Sequence, residues 1–175
     1  HRVKNNLQIV ASLLNLQKSK SEDPNVLDMI SISQNRIYSI ALVHELLYNS
    51  EDFESVDIKD YSERIINSII CRTALNKLKL VIEVKKELIE LDTLIPCGLI
   101  LCEAVTNFLK HAIHKDPALE VKFIRNINER VLIVKDNGPG FPEDVLSGNY
   151  DSLGIELIQS LSSQLDGVVR LYNNN

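Results

Sequence analysis

The sequence predicts an α+β protein: an N-terminal helical hairpin followed by a two-layer α/β sandwich. Three observations carry this. Apolar residues in 1–50 recur at heptad spacing. Beyond residue 55, strand-like alternation at 78–84, 120–127 and 130–136 interleaves with helical periodicity at 57–75, 93–113 and 153–167. Between the two patterns, YNSEDFES (48–55) is polar and reads as a linker. A change of period from 3.5 to a mixture of 2 and 3.6 marks a change of architecture. The expected division is a hairpin domain over 1–50 and a second domain over 51–175.

In the first helix Val3, Leu7, Val10, Leu14 and Gln17 follow one another at spacings of 4, 3, 4 and 3. In the second, Val26, Ile30, Ser33, Ile37, Ile40, His44 and Leu47 do the same. Such seams belong to helices that pack along a shared axis. The polar SKSEDPN (19–25) turns the chain, and Pro24 suits the first turn of the second helix. Ile9, Leu13 and Leu16 lie off the first seam and form a second apolar edge. Two helices bury little by themselves, so a second copy is the natural partner and the dimer would be a four-helix bundle. Packing against the chain's own second half is the competing solution.

Residues 57–75 place Ile58, Tyr61, Ile65, Ile69 and Arg72 on one side of a helix. LKLVIEV (78–84) alternates as a strand, and a shorter strand follows near 87–91. TLIPCGLILCEAVTNFLKHAI (93–113) is a long, largely buried helix starting near Pro96. EVKFIRNI (120–127) and RVLIVKD (130–136) form a hairpin of strands around Asn128–Glu129. LGIELIQSLSSQLDG (153–167) is an amphipathic helix closed by Gly167, and VVRLY (168–172) begins one more strand. Mostly antiparallel pairing is expected.

Composition narrows the function. A net charge of −5 argues against a general nucleic-acid binder, which needs a basic face for phosphates. The longest apolar stretches, such as LIPCGLILC (94–102), fall well short of the ~20 residues of a membrane span, so no membrane segment is expected. No signal peptide is expected, and the start reads as the middle of a longer chain. Cys71, Cys97 and Cys102 sit in apolar surroundings and read as core-filling thiols of a reducing cytosol.

Four stretches carry chemistry. HRVKNNLQ (1–8) opens on His1, which is a reactive imidazole, a solvated first residue or the remnant of a tag. In EAVTNFLKHA (103–112), Glu103, Asn107, Lys110 and His111 share one helical face. That face is either merely solvated or a site where Asn or Glu oxygens take Mg²⁺ and the cations take phosphate. DNGPGF (136–141) is either a tight turn or a close approach to a flat ligand, with Asp136 accepting from an amino group. SGNYDSLGIELI (147–158) runs into a helix start, where Ser152 is a plain N-cap or the loop closes over a nucleotide.

In this order the parts resemble a known family. Residues 57–172 resemble the ATP-binding domain shared by sensor histidine kinases with the gyrase, Hsp90 and MutL ATPases. EAVTNFLKHA is similar to its asparagine box, DNGPGF to its first glycine box and DSLGIELI to its second. Residues 1–50 are similar to the dimerisation and phosphoacceptor hairpin of the subgroup whose motif reads H-R-x-K-N-N-L-Q, and LVHELLY (42–48) also resembles that subgroup.

The resemblance implies a cytoplasmic, two-component sensor histidine kinase core that phosphorylates its own histidine from ATP and passes the phosphoryl group to an aspartate on a response-regulator receiver domain. His1 would be the phosphoacceptor. Glu103 and Asn107 would serve the Mg²⁺–ATP end, with Asn107 the metal ligand. Lys110 and His111 would lie near the phosphates. Asp136 would read the adenine amino group, with Gly138 and Gly140 shaping the wall, and Ser152, Leu153 and Gly154 would close on the phosphates. A homodimer is implied, with its sensor domain outside this chain. The chain departs from the pattern in four places. Arg2 stands where many relatives have an acid, Phe108 where a small residue is usual, and Asp151 where glycine is usual. The last G-T-x-F strand is missing, so an incomplete sheet is expected. The alternatives are a degenerate nucleotide-binding or dimerisation module without kinase activity, and an ATPase or Ser/Thr kinase on the same fold.

Overall fold

The computed structural model describes residues 2–48, 54–71, 73, 77–148 and 152–173. His1, Arg72 and Asp151 therefore lie outside the described residues. The chain begins as a hairpin of α1 (Arg2–Lys18) and α2 (Pro24–Tyr48). Pro24 opens α2, where its missing N–H is one of the helix's unpaired donors anyway.

The seam of α1 is a correction. Leu7 and Leu14 are half-buried as expected, but Val3, Val10 and Gln17 are exposed, and Lys4, Ala11 and Lys18 take their places on the inner face. The lysine stems cover apolar surface while their ammonium groups reach across. Lys4 Nζ donates to Glu45 Oε2 at 2.7 Å, and Lys18 Nζ to Ser31 Oγ at 3.0 Å. In α2, Ile30 is buried and Ser33, Ile37, Ile40, His44 and Leu47 are half-buried, whereas Val26 is exposed. Ser39, Leu42 and Val43 are also buried, and Leu42 and Val43 join the core of the second half. The second helix thus serves two neighbours.

That core is built around helices on a small sheet. β1 (Ser55–Asp57) pairs antiparallel with β3 (Leu88–Glu90). The Asp57 carboxylate accepts from the Lys59 N–H and so starts α3 (Ile58–Ile70), whose buried face is Ile58, Tyr61, Ser62, Ile65, Ile66 and Ile69. β2 (Lys79–Val84) lies beside β4 (Ala118–Arg125), which pairs with β5 (Arg130–Asp136). The β4–β5 hairpin is antiparallel as expected, but β2 and β4 are parallel. The long crossover through α4 (Leu91–His111) allows this, because it returns the chain to the same end of the sheet.

α4 begins five residues ahead of Pro96, which is buried inside the helix. Its length and mean hydropathy of 1.3 suit a membrane span by composition. Here it is the central core helix, with Leu94, Leu101, Val105 and Phe108 buried. Phe108, bulky where a small residue was expected, fills that core at 2% exposure.

The loop from 141 to 154 contains one helical turn, α5 (Glu143–Leu146), and leads to α6 (Leu153–Gln164). Closure of α6 differs from expectation. Asp166 takes the left-handed conformation (φ +53°), and Gly167 follows it, donating its N–H to Ser162 O at 2.8 Å. The strand expected at 168–172 is absent. Among the described residues β5 pairs only with β4, and a lone strand has no ladder to hold it. The Asn173 side chain instead bonds both the N–H and the carbonyl of Phe141, at 2.8 and 2.9 Å. Cys71 is also a correction. It caps α3 beyond the last buried residue and is exposed, while Cys97 is half-buried and Cys102 buried.

Candidate functional site

The polar face of α4 is shared between two neighbours. Glu103 is 3% exposed, Asn107 is half-buried, and Lys110 and His111 are exposed. The first turn of α6 lies directly on Glu103 and Asn107. A Cβ on Gly154 would stand 2.9 Å from Glu103 Oε2 and 3.7 Å from Asn107 Oδ1. Ser152 caps that turn through its hydroxyl, which accepts from the Ile155 N–H at 3.4 Å, and Leu153 is exposed. Glu103 and Asn107 therefore meet the turn that carries Gly154.

The turn after β5 seats on the other end of α4. A Cβ on Gly138 would stand 2.4 Å from the Cβ of Ala112, so only glycine allows this approach. Gly140 has φ +82°, a conformation that side chains with a Cβ disfavour. Asp136 Oδ1 accepts from the Gly138 N–H at 2.8 Å, which aims the carboxylate along the turn. Asn137 fixes the turn to the α4–β4 connection. Its Oδ1 accepts from Ala118 N–H at 2.7 Å and its Nδ2 donates to Asp116 O at 3.0 Å. His114 Nε2 lies 2.9 Å from the Asn137 carbonyl. From Glu103 to Ala112 the helix advances roughly 13 Å at its standard rise.

Two residues that the sequence left out stand at the site. Arg36 of α2 meets Glu103 with two parallel hydrogen bonds, Nε to Oε1 at 2.7 Å and Nη2 to Oε2 at 2.9 Å. The Glu103 hydrogen bond holds the Arg36 proton more firmly than usual, which outweighs the opposing effect of burial. Asp28, further up α2, forms an ion pair with Lys110. Lys110 thus turns toward α2 rather than standing free for a phosphate. A signal for this was present. The charged side chains of α2 are Asp28, Arg36 and Glu45, and each has an ion-pair partner on another helix.

Chemically, one end of the face offers a carboxylate and an amide oxygen, the hard donors that suit Mg²⁺. Beside them is a helix N-terminus, which favours anions. Gly154 brings this backbone against both donors, close enough that a Cβ there would stand 2.9 Å from Glu103 Oε2. The donor set thus fits a Mg²⁺–phosphate group, provided Glu103 exchanges Arg36 for it. The other end offers an oriented carboxylate, suited to an amino group.

Known proteins resemble this chain in sequence and fold. Residues 1–73 match the family model described as histidine kinase. Sensor histidine kinase PdtaS of Mycobacterium tuberculosis is 31% identical over 176 residues, covering 95% of this chain and 34% of that protein. Blue-light-activated histidine kinase 2 of Erythrobacter litoralis is 26% identical over 178 residues, 95% of this chain and 51% of the relative. The solved Erythrobacter litoralis EL346 blue-light activated histidine kinase shares the fold, with a TM-score of 0.66 at 24% identity over 95% of this chain and 54% of that one. The chain spans about a third of the length of PdtaS.

Proposed function

From the match of residues 1–73 to the histidine kinase family model and the likeness to PdtaS, we propose that the chain is an ATP-dependent protein histidine kinase core. It works in the cytoplasm, phosphorylating His1 and passing the phosphoryl group to an aspartate of a response-regulator receiver domain. The observation that carries this is the placement of two sites on one helix. Glu103 and Asn107 meet the Gly154 turn at one end of α4, and the Asp136 turn seats on Ala112 at the other.

In this reading Asp136 accepts from the adenine amino group, and Gly138 and Gly140 shape the wall beside the base. Ser152, Leu153 and Gly154 close on the phosphates. Asn107, with Glu103, would hold Mg²⁺, which supplies charge neutralisation on the transferring group. Lys110 adds positive charge there once it leaves Asp28, and His111 lies near the phosphates. The neutral imidazole of His1 forms a bond to the γ-phosphorus as the bond to the β–γ bridging oxygen breaks and ADP departs. A dimer follows from α1, whose Ile9, Leu13 and Leu16 line an exposed apolar groove of about 360 Å³ that a second copy would cover. The domain division at residue 50 belongs to the same proposal, with α2 as the shared element.

Incubation with γ-labelled ATP and Mg²⁺ tests the proposal. An acid-labile, base-stable phosphoprotein is expected, and His1→Ala abolishes it. Label that survives the substitution overturns the role of His1. A second reading, a nucleotide-binding module without kinase activity, is favoured by the hold of Arg36 on both Glu103 oxygens. Nucleotide binding without phosphohistidine selects it.

A further inference from the structure

The two ion pairs between α2 and α4 have matching spacing. On α2, Asp28 and Arg36 are eight residues apart, and on α4 Glu103 and Lys110 are seven apart, with the order reversed. At the helical rise these are separations of about 12 and about 10.5 Å, so antiparallel helices satisfy both pairs at once. The charges are also placed in a particular sense. The cation of α2 sits on the carboxylate assigned to the metal end, and its anion sits on the ammonium assigned to a phosphate. The Glu103 side chain is only 4% exposed with Arg36 bound, and both of its oxygens are engaged.

The rest of α2 is anchored differently. Tyr61 of α3 donates its hydroxyl to the Ser39 carbonyl at 3.2 Å, and Leu42 and Val43 are in the core. Towards its N-terminal end, α2 exposes Val26 and Met29. The C-terminal half is thus fixed by the main apolar core, whereas the Asp28 end has buried Ile30 and the ion pair of Asp28 with Lys110 on α4.

We propose that α2 is an internal pseudo-ligand of the nucleotide site. Arg36 takes the place of the metal at Glu103, and Asp28 takes the place of a phosphate oxygen at Lys110. Loading with Mg²⁺ and nucleotide and the docking of this part of α2 therefore compete. Exchange keeps the charge balanced: Glu103 trades a guanidinium for a divalent cation, and Lys110 trades a carboxylate for phosphate. The buried Glu103 carboxylate is never left uncompensated, which would be strongly unfavourable. This inference rests on the nucleotide-site reading above and adds to it the occupant that nucleotide must displace.

The test is equilibrium binding of a fluorescent, non-hydrolysable ATP analogue with Mg²⁺ to the whole chain. Asp28→Asn removes the anion at the solvent-exposed end while leaving the core intact, and Arg36→Gln removes the cation. Asp28→Asn is expected to tighten binding about tenfold, and Asp28→Glu to leave it near wild type. Hydrogen exchange over residues 24–36 is expected to rise when the analogue is bound to wild-type protein. Equal or weaker binding by both Asp28→Asn and Arg36→Gln, beside measurable wild-type binding, overturns the pseudo-ligand and leaves the nucleotide site standing. Unchanged protection of residues 24–36 on loading also overturns it. No binding by wild type or either variant overturns both readings. Binding that appears only in the variants supports both.

Discussion

Tyr61 lies across Gly98 so closely that a Cβ built on the glycine would stand 1.9 Å from the phenolic oxygen. The same hydroxyl donates to the Ser39 carbonyl, so one phenol joins α2, α3 and α4. Gly98→Ala forces the ring away from a fully packed site. A loss of about 1–3 kcal/mol is expected, read by chemical denaturation. Tyr61→Phe keeps the packing and removes one hydrogen bond, so about 1 kcal/mol is expected.

Gly154→Ala tests the phosphate end of the proposed site. The new methyl would stand 2.9 Å from Glu103 Oε2, an atom that Arg36 keeps from swinging aside. Helical backbone favours alanine, but the methyl crowds an atom held in place, so a loss of about 1–3 kcal/mol is expected on thermal unfolding. Binding of the Mg²⁺–nucleotide analogue is expected to weaken by about tenfold, because the methyl occupies the space between Gly154 and the two oxygen donors.

Asp136→Asn keeps an acceptor for the Gly138 N–H and removes the charge. The turn is expected to survive, as judged by circular dichroism and melting. Adenine nucleotide affinity is expected to fall by about 1.5–3 kcal/mol, the worth of a hydrogen bond to a charged acceptor. Unchanged affinity would remove Asp136 from the site.

Lys4 and Glu45 join the ends of the helical hairpin at 2.7 Å, with side chains 35% and 41% exposed. A pair so open to water contributes less than about 1 kcal/mol. Glu45→Gln is therefore expected to shift the melting temperature only slightly, and the shift is expected to shrink further in high salt.

The thiols predict an alkaline limit to stability. Burial pushes Cys97 up to about 11 and Cys102 up to about 12, from an ordinary value of 9.0. Burial also raises Tyr61 well above its usual range. In each case the folded state holds the proton that the unfolded chain releases first. Their stabilisation is complete below about pH 9 and is lost as pH climbs through 11 to 12. Melting curves between pH 8 and 11 are expected to show the decline beginning near 9. At pH 8 a thiol reagent is expected to label Cys71 rapidly and the other two only on unfolding.

Much of this molecule can be read along the chain. The long helices, four of the five expected strands and the Ser152 cap follow from local periodicity and capping chemistry. The seam of α1 was misread because Val3 and Val10 match a heptad as well as Lys4 and Ala11 match the face in use. A lysine whose stem lies along the partner helix is invisible to a hydrophobic pattern. The parallel β2–β4 pair and the missing strand at 168–172 depend on neighbours distant in sequence, and periodicity does not report pairing.

By itself the sequence determined the order of the long helices and of β2 to β5, and which residues resemble asparagine and glycine boxes. Helical periods, caps and turn residues are local, and each acts within a few positions. Only the tertiary structure decided what those residues touch. Glu103 and Arg36 are 67 residues apart, and nothing near either one names the other. Their pairing arises because apolar packing of Leu42, Val43 and Tyr61 lays α2 along α4, and a carboxylate buried by that packing requires a cation.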